Sequence, residues 1–168
     1  MQKNWLDGVI SDGEQFTYAY LYQCAQFMNE QAEKIEDGRF YNCMSSIIFC
    51  AFCIEAYLNR LGEKLFPFWK ELEQLKHSNK LEIICQQINL FIDKSRSPFQ
   101  SYNEIFKFRN LIAHAKLGEF PKFEKMCTIE HARKFITDTQ DMIIAIHEKA
   151  GYGKFPFVIM GSSEWRKR

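Results

Sequence analysis

An all-α bundle of about five to six helices is the fold this sequence predicts, on three observations. Apolar residues recur at helical spacing along most of the chain, an alternating strand pattern is almost absent, and Gly, Pro or short polar stretches separate the periodic segments. The 168 residues suit one domain with a real core and leave little room for a second. We therefore expect a single helical domain over 1–150 and a tail over 151–168 that packs on the bundle or is partly disordered.

The first helix is expected over 14–36, where Phe16, Tyr20, Cys24, Phe27, Met28 and Ile35 fall at helical spacing, and "DGR" at 37–39 ends it. The second runs over 40–62, from Phe40 to Leu61, with Gly62 as its stop. Pro67 suits the first turn of a shorter helix, "PFWKELEQLKH", and Ser78 is placed to cap the next, "SNKLEIICQQINLF". "DKSRSP" is a polar connection, after which Ser97 as cap and Pro98 as first residue open a helix that ends near Leu117–Gly118. "EFPKFEKMC" reads as a loop. Thr128 then caps a last long helix, "IEHARKFITDTQDMIIAIHEKA", which Gly151 stops, and "FPFVIM" in the tail is apolar enough to pack back onto the bundle.

Composition narrows the function classes. Hydrophobic content of 46% and charged content of 26% are ordinary for a globular chain, and 16 Phe predict an aromatic-rich core. A net charge of +1 sets up no long-range field toward nucleic acid, membranes or acidic partners, so any RNA contact has to be local. The N-terminal segment lacks the apolar core of a signal peptide. The longest apolar run, "IIFCAFCIEAYL", is broken by Glu55 and too short to span a bilayer, so no membrane association is expected. Six cysteines without a secretion signal argue for a reducing cytoplasm.

Metal and cofactor motifs are not found. Cys50 and Cys53 form a CxxC, but it lies mid-helix in an apolar run with no second pair to complete a zinc site, so both read as small buried hydrophobes. His77, His131 and His147 have no metal-like company, no Glu-x-x-His serves a di-iron bundle, and "HEKAG" lacks the second histidine of a zinc protease motif. "GYG" at 151–153 is a helix stop rather than a phosphate loop, and the basic "WRKR" reads as a frayed tail. We expect no metal and no cofactor.

One segment resists the purely structural reading. "FKFRNLIAHAK", residues 106–116, sets Arg109, Asn110 and His114 into an otherwise apolar helix. At about 100° per residue, Asn103, Lys107, Asn110 and His114 line one polar stripe, whereas Tyr102, Ile105, Phe108, Ile112 and Ala115 face the core. Arg109 lies on the flank of the apolar arc, roughly 140° around the helix from His114 and about 7.5 Å along it. On an earlier helix Glu55 is the only charge from Ile47 to Leu58, with Asn59 one turn later. A carboxylate facing a core needs a partner, and Arg109 is the first candidate, His114 the second. These groups read either as a polar brace that fixes helix register or as a chemical site.

The stretch "FRNLIAH" resembles the Arg-x4-His signature of the HEPN superfamily, with Asn110 as the polar residue that commonly follows the arginine. "SPFQSYNEIFKFRNLIAHAK" is similar to that family's motif helix, and "FCIEAYLNRL" looks like the acidic segment on an earlier helix in several of its members; the helical likeness spans roughly residues 14–150. The resemblance implies an up-and-down bundle that dimerises through its motif helices. It also implies a metal-independent endoribonuclease, often a toxin or defence effector, sometimes held by an antitoxin or nucleotidyltransferase partner. On this reading His114 is the acid or base for 2′-hydroxyl attack. Arg109 holds the phosphate and Asn110 orients His114 or the phosphate. Glu55 and Asn59 support them, and Lys107 and Asn103 are the substrate contacts. Some members carry a tyrosine two positions after the histidine as the site of nucleotidyl modification; Lys116 stands there in this chain.

Overall fold

A computed structural model describes residues 17–114, 121 and 124–152. Six helices are present among them: α1 (Thr17–Lys34), α2 (Arg39–Leu65), α3 (Trp69–Leu72), α4 (His77–Gln87), α5 (Phe99–Ala113) and α6 (Ile129–Lys149). There is no strand among the described residues, so the protein is an all-α helical bundle. The tail from residue 153 onward, including "FPFVIM", lies outside the described residues.

α2 is the central element. It packs against α1, α3, α4, α5 and α6, and α6 also touches α1 and α5. Its fully buried side chains, among them Ile47, Cys50, Cys53, Ile54, Leu58 and Leu61, supply the middle of the core. Cys50 and Cys53 are therefore packing residues, and burial pushes the Cys50 thiol up to about 12. The sequence expectation for "IIFCAFCIEAYL" needs one correction. It lies inside a 27-residue helix that is long and apolar enough, by length and composition, to cross a membrane. In the bundle 50% of that window is buried, where α2 meets five other helices.

The buried face of α1 is not the one that carries the larger hydrophobes Phe27 and Ile35. Tyr18, Ala19, Tyr22, Ala25, Asn29 and Ala32 face the core, while Phe27 and Ile35 remain 51% and 49% exposed and Cys24 is exposed. The reason is close approach in the α1–α2 hairpin. Small residues such as Ala25 and Ala32 let the helices come near enough for Ser46 Oγ to donate to the Ala25 carbonyl at 2.8 Å. Larger side chains on that face would hold the two helices apart. Phe16 lies outside the described residues.

Other boundaries moved for identifiable reasons. Gly62 does not stop α2; the helix continues to Leu65, and the indole of Trp69 sits where a Cβ on Gly62 would be. Glycine at 62 thus serves helix-to-ring contact rather than termination. α3 is a single turn starting at Trp69, two residues beyond Pro67. Ser78 lies inside α4 and does not cap it. α4 ends at Gln87 rather than continuing to Phe91, because Asn89 takes a left-handed φ of 53°, with Asn89 N–H bonded to the Gln86 carbonyl and Leu90 N–H to that of Cys85. That is the paired C-terminal bonding of a Schellman motif, with asparagine in the position glycine usually takes.

Ser97 is not a cap either: α5 begins at Phe99, and Ser97 Oγ donates to Asp138 on α6 at 2.7 Å. α5 closes at Ala113 with His114 as its C-cap, short of the expected Leu117–Gly118. Thr128 does cap α6, accepting from His131 N–H at 3.2 Å. Gly151, at φ 84°, ends that helix as expected.

Candidate functional site

The site is built on α5. Its inner face anchors the helix through Tyr102, Ile105, Phe106 and Phe108, all 2% exposed or less. On the other side of the helix, spaced four and three residues apart, Asn103, Lys107 and Asn110 are exposed, and His114 follows four residues on at the C-cap. The polar stripe read from the sequence is therefore present. It lines an open groove of about 550 Å³ together with His77, Phe106 and Leu111.

His114 is held by its backbone, whose N–H donates to the Asn110 carbonyl at 2.9 Å. Its imidazole is exposed and makes no hydrogen bond among the described residues. Arg109 stands at the shoulder of the groove and does not line it. Its Nη1 donates to Asn110 Oδ1 at 3.1 Å, and its Nη2 lies 3.9 Å from Glu55 Oε2 on α2. Asn110 thus touches the arginine, where the sequence reading paired it with His114 or a phosphate. Glu55, expected to face the core, is only partly covered, with 35% of its side chain open to solvent.

Asn59 has another task. Its Oδ1 accepts from Lys80 Nζ at 2.8 Å, and Lys80 is 2% exposed. A buried ammonium without an acceptor is costly, so Asn59 supports α4 against α2 and does not join Arg109. The arrangement therefore unites Asn103, Lys107, Asn110 and His114, links Arg109 to it through Asn110, places Glu55 behind Arg109, and leaves Asn59 outside.

His77 was weighed in the sequence only as a metal ligand and set aside, yet it forms one wall of the groove. Its ring lies flat on Phe106, centroids 3.5 Å apart and planes 7° from parallel, and its Nδ1 is hydrogen-bonded to the Tyr102 hydroxyl. Burial, followed by the positive charges of Arg109, Lys76 and Lys80, pushes its imidazole down to about 4, so it is neutral at physiological pH. The Tyr102 hydroxyl is pushed upward by its own burial and remains protonated. His77 joins the stripe only because α4 and α5 both pack on α2, which brings the first residue of α4 onto α5, and no local spacing in the sequence signals it. Among the described residues, no group of three His, Cys, Asp or Glu is placed to hold a metal ion.

No family model, curated protein or solved structure matches this chain.

Proposed function

We propose that the protein is a metal-independent endoribonuclease of HEPN type, a toxin or defence effector of the cytoplasm, acting as a homodimer. The observation that most supports this reading is the open groove that gathers His114, Asn110, Lys107 and Asn103, with Arg109 bonded to Asn110 at its edge. Groups meant only to brace a core would be covered, whereas this imidazole faces solvent at a helix end.

The reaction is attack of an RNA 2′-hydroxyl oxygen on the adjacent phosphorus. The new O–P bond forms as the bond to the 5′-oxygen breaks, leaving a 2′,3′-cyclic phosphate and a 5′-hydroxyl. One imidazole takes the 2′-hydroxyl proton and another delivers a proton to the leaving oxygen. Two copies of His114 across a dimer divide those roles. Arg109 neutralises charge developing on the phosphoryl oxygens, with Asn110 and Glu55 fixing where its guanidinium sits. Lys107 and Asn103 contact the strand along the stripe. An antitoxin or nucleotidyltransferase would act as the inhibitory partner by binding, since Lys116 stands where the modified tyrosine would be.

The test is cleavage of total cellular RNA by the purified chain with chelator present, followed by analysis of the ends. We expect cyclic phosphate termini, and loss of cleavage in Arg109→Ala and His114→Ala. Cleavage retained in the double variant would remove the assigned site. A second reading, a non-catalytic interaction or nucleotide-binding module with a polar brace, is favoured by the Arg109–Glu55 contact alone. It predicts that Arg109→Ala lowers the melting temperature while no RNA is cut.

A further inference from the structure

We propose that the end of the groove walled by His77 is a nucleobase subsite, in which the imidazole of His77 is the stacking surface and Asn103 the edge-reading amide. The proposal rests on the nucleotide-directed reading of the same groove given above.

The geometry defines what His77 offers. One face of its ring is covered by Phe106, and its Nδ1 edge is occupied by the Tyr102 hydroxyl. His77 is nevertheless only half-buried and lines the groove. With those two sides taken, we assign the stacking role to the face turned away from Phe106. A planar ring backed by a buried phenyl group and tied at one nitrogen is fixed before any ligand arrives, so little side-chain freedom is lost when a flat partner stacks on it. Its low basicity keeps it uncharged, which suits contact with an aromatic base better than with a phosphate.

The rest of the wall completes the pattern. Asn103 carries a carboxamide with both donors and an acceptor, the complement of a base edge, and lies one turn before Lys107 on the exposed side of α5. From Phe106, where His77 stacks, to His114 is eight positions, or roughly 12 Å along the helix axis. Base and scissile phosphate therefore occupy different ends of one groove, with Lys107 and Asn110 between them. A +1 chain has little charge with which to hold a strand, so affinity has to come from contacts of this local kind.

The experiment measures binding by fluorescence anisotropy with short 2′-O-methyl oligoribonucleotides, which cannot be cut. The comparison strand has the same length and charge but no bases. Wild type is expected to bind the base-bearing strand roughly tenfold more tightly. His77→Ala should abolish that difference and leave base-free binding unchanged, whereas His77→Phe, which keeps a stacking ring, should retain it. Equal binding of both strands by wild type overturns the proposal, as does a base preference that survives in folded His77→Ala. Should His77→Ala fail to fold, the His77 ring protons of wild type provide the readout by NMR: they shift with the base-bearing strand alone if the subsite exists, and with neither or both if it does not. Competition with a nucleoside monophosphate separates the two sources of a base; we expect the strand to resist displacement at equal concentration. Base-dependent binding without cleavage would refute the nuclease reading alone, and cleavage without base-dependent binding would refute the subsite alone.

Discussion

The Arg109 guanidinium and the Glu55 carboxylate meet at 3.9 Å between α5 and α2, with 33% and 35% of their side chains open to solvent. At that distance and exposure an ion pair contributes about 0–1 kcal/mol. Glu55→Gln should therefore lower the unfolding free energy by less than about 1 kcal/mol in a urea titration. A loss several times larger would make the pair a true brace and favour the non-catalytic reading.

Asn110 reaches the proposed chemistry through Arg109, whose Nη1 it accepts at 3.1 Å. Removing that acceptor leaves the guanidinium free to take other rotamers without unfolding the exposed stripe. Asn110→Ala should slow RNA cleavage roughly 10- to 100-fold in kcat, with a smaller change in KM. Arg109→Lys should not restore the rate, because an ammonium lacks the planar fork that grips a phosphate. Steady-state kinetics on one defined RNA would decide; unchanged kcat in Asn110→Ala would remove its positioning role.

Gly62 and Trp69 are in contact across the end of α2, and a methyl group on Gly62 would fall within the indole, which is 1% exposed. Alanine normally strengthens a helix interior relative to glycine by up to about 1 kcal/mol. Here overpacking should win, at about 1–3 kcal/mol or more. Gly62→Ala is expected to lower Tm by several degrees in a thermal melt. A rise in Tm would show that the glycine acts only as a weak helix residue.

The polar stripe was legible in the sequence because it depends on helical periodicity alone: Asn103, Lys107, Asn110 and His114 share a face wherever that helix is placed. The all-α class and the Thr128 cap were legible for the same local reason. What depended on neighbouring elements was not. His77 joins the groove only because α2 holds the start of α4 against α5, and Asn59 is drawn to a buried lysine from another helix. Phe27 and Ile35 marked the helical spacing of α1 but not its inner face, which hairpin approach set on the alanine-bearing side. Arg109 was seen to lie off the stripe, but its link through Asn110 requires side-chain geometry that spacing does not encode.

Asp138 on α6 ties down the start of α5. Its carboxylate accepts from Ser97 at 2.7 Å, from Lys134 at 2.9 Å and from the buried Ser101 hydroxyl. Burial alone would raise this carboxyl, but the bonds from Ser101, Lys134 and Ser97 together outweigh it and hold the group below its ordinary value of 3.8. A depressed carboxyl stabilises the fold above its unfolded pKa, and that contribution is lost as pH falls through the folded one. Asp138→Asn should therefore cost about 1–3 kcal/mol near neutrality, constant down to about pH 5. The gap to wild type should close below about pH 4. Urea unfolding of both proteins across that range is the check, and a gap that widens in acid would reverse the assignment.

His147 works in a higher pH window and through the opposite charge state. It is 1% exposed, its Nδ1 lies 3.1 Å from the Tyr57 hydroxyl, and burial, aided by Lys64, pushes its imidazole from 6.5 down to about 4. Above 6.5 neither the folded nor the unfolded imidazole is charged, so it contributes no pH dependence. Between 6.5 and about 4 the unfolded chain binds a proton that the folded chain refuses. Stability therefore falls with acid there, by up to about 1.4 kcal/mol per pH unit for this one group. His77, also held down to about 4, adds a loss of the same sign that partial exposure makes smaller. Unfolding free energy should thus already drop between pH 6.5 and 5, before Asp138 begins to titrate. NMR titration of the His147 ring should place its midpoint near 4 in the folded protein; a midpoint at the ordinary 6.5 would mean that the ring is hydrated and the acid sensitivity lies elsewhere.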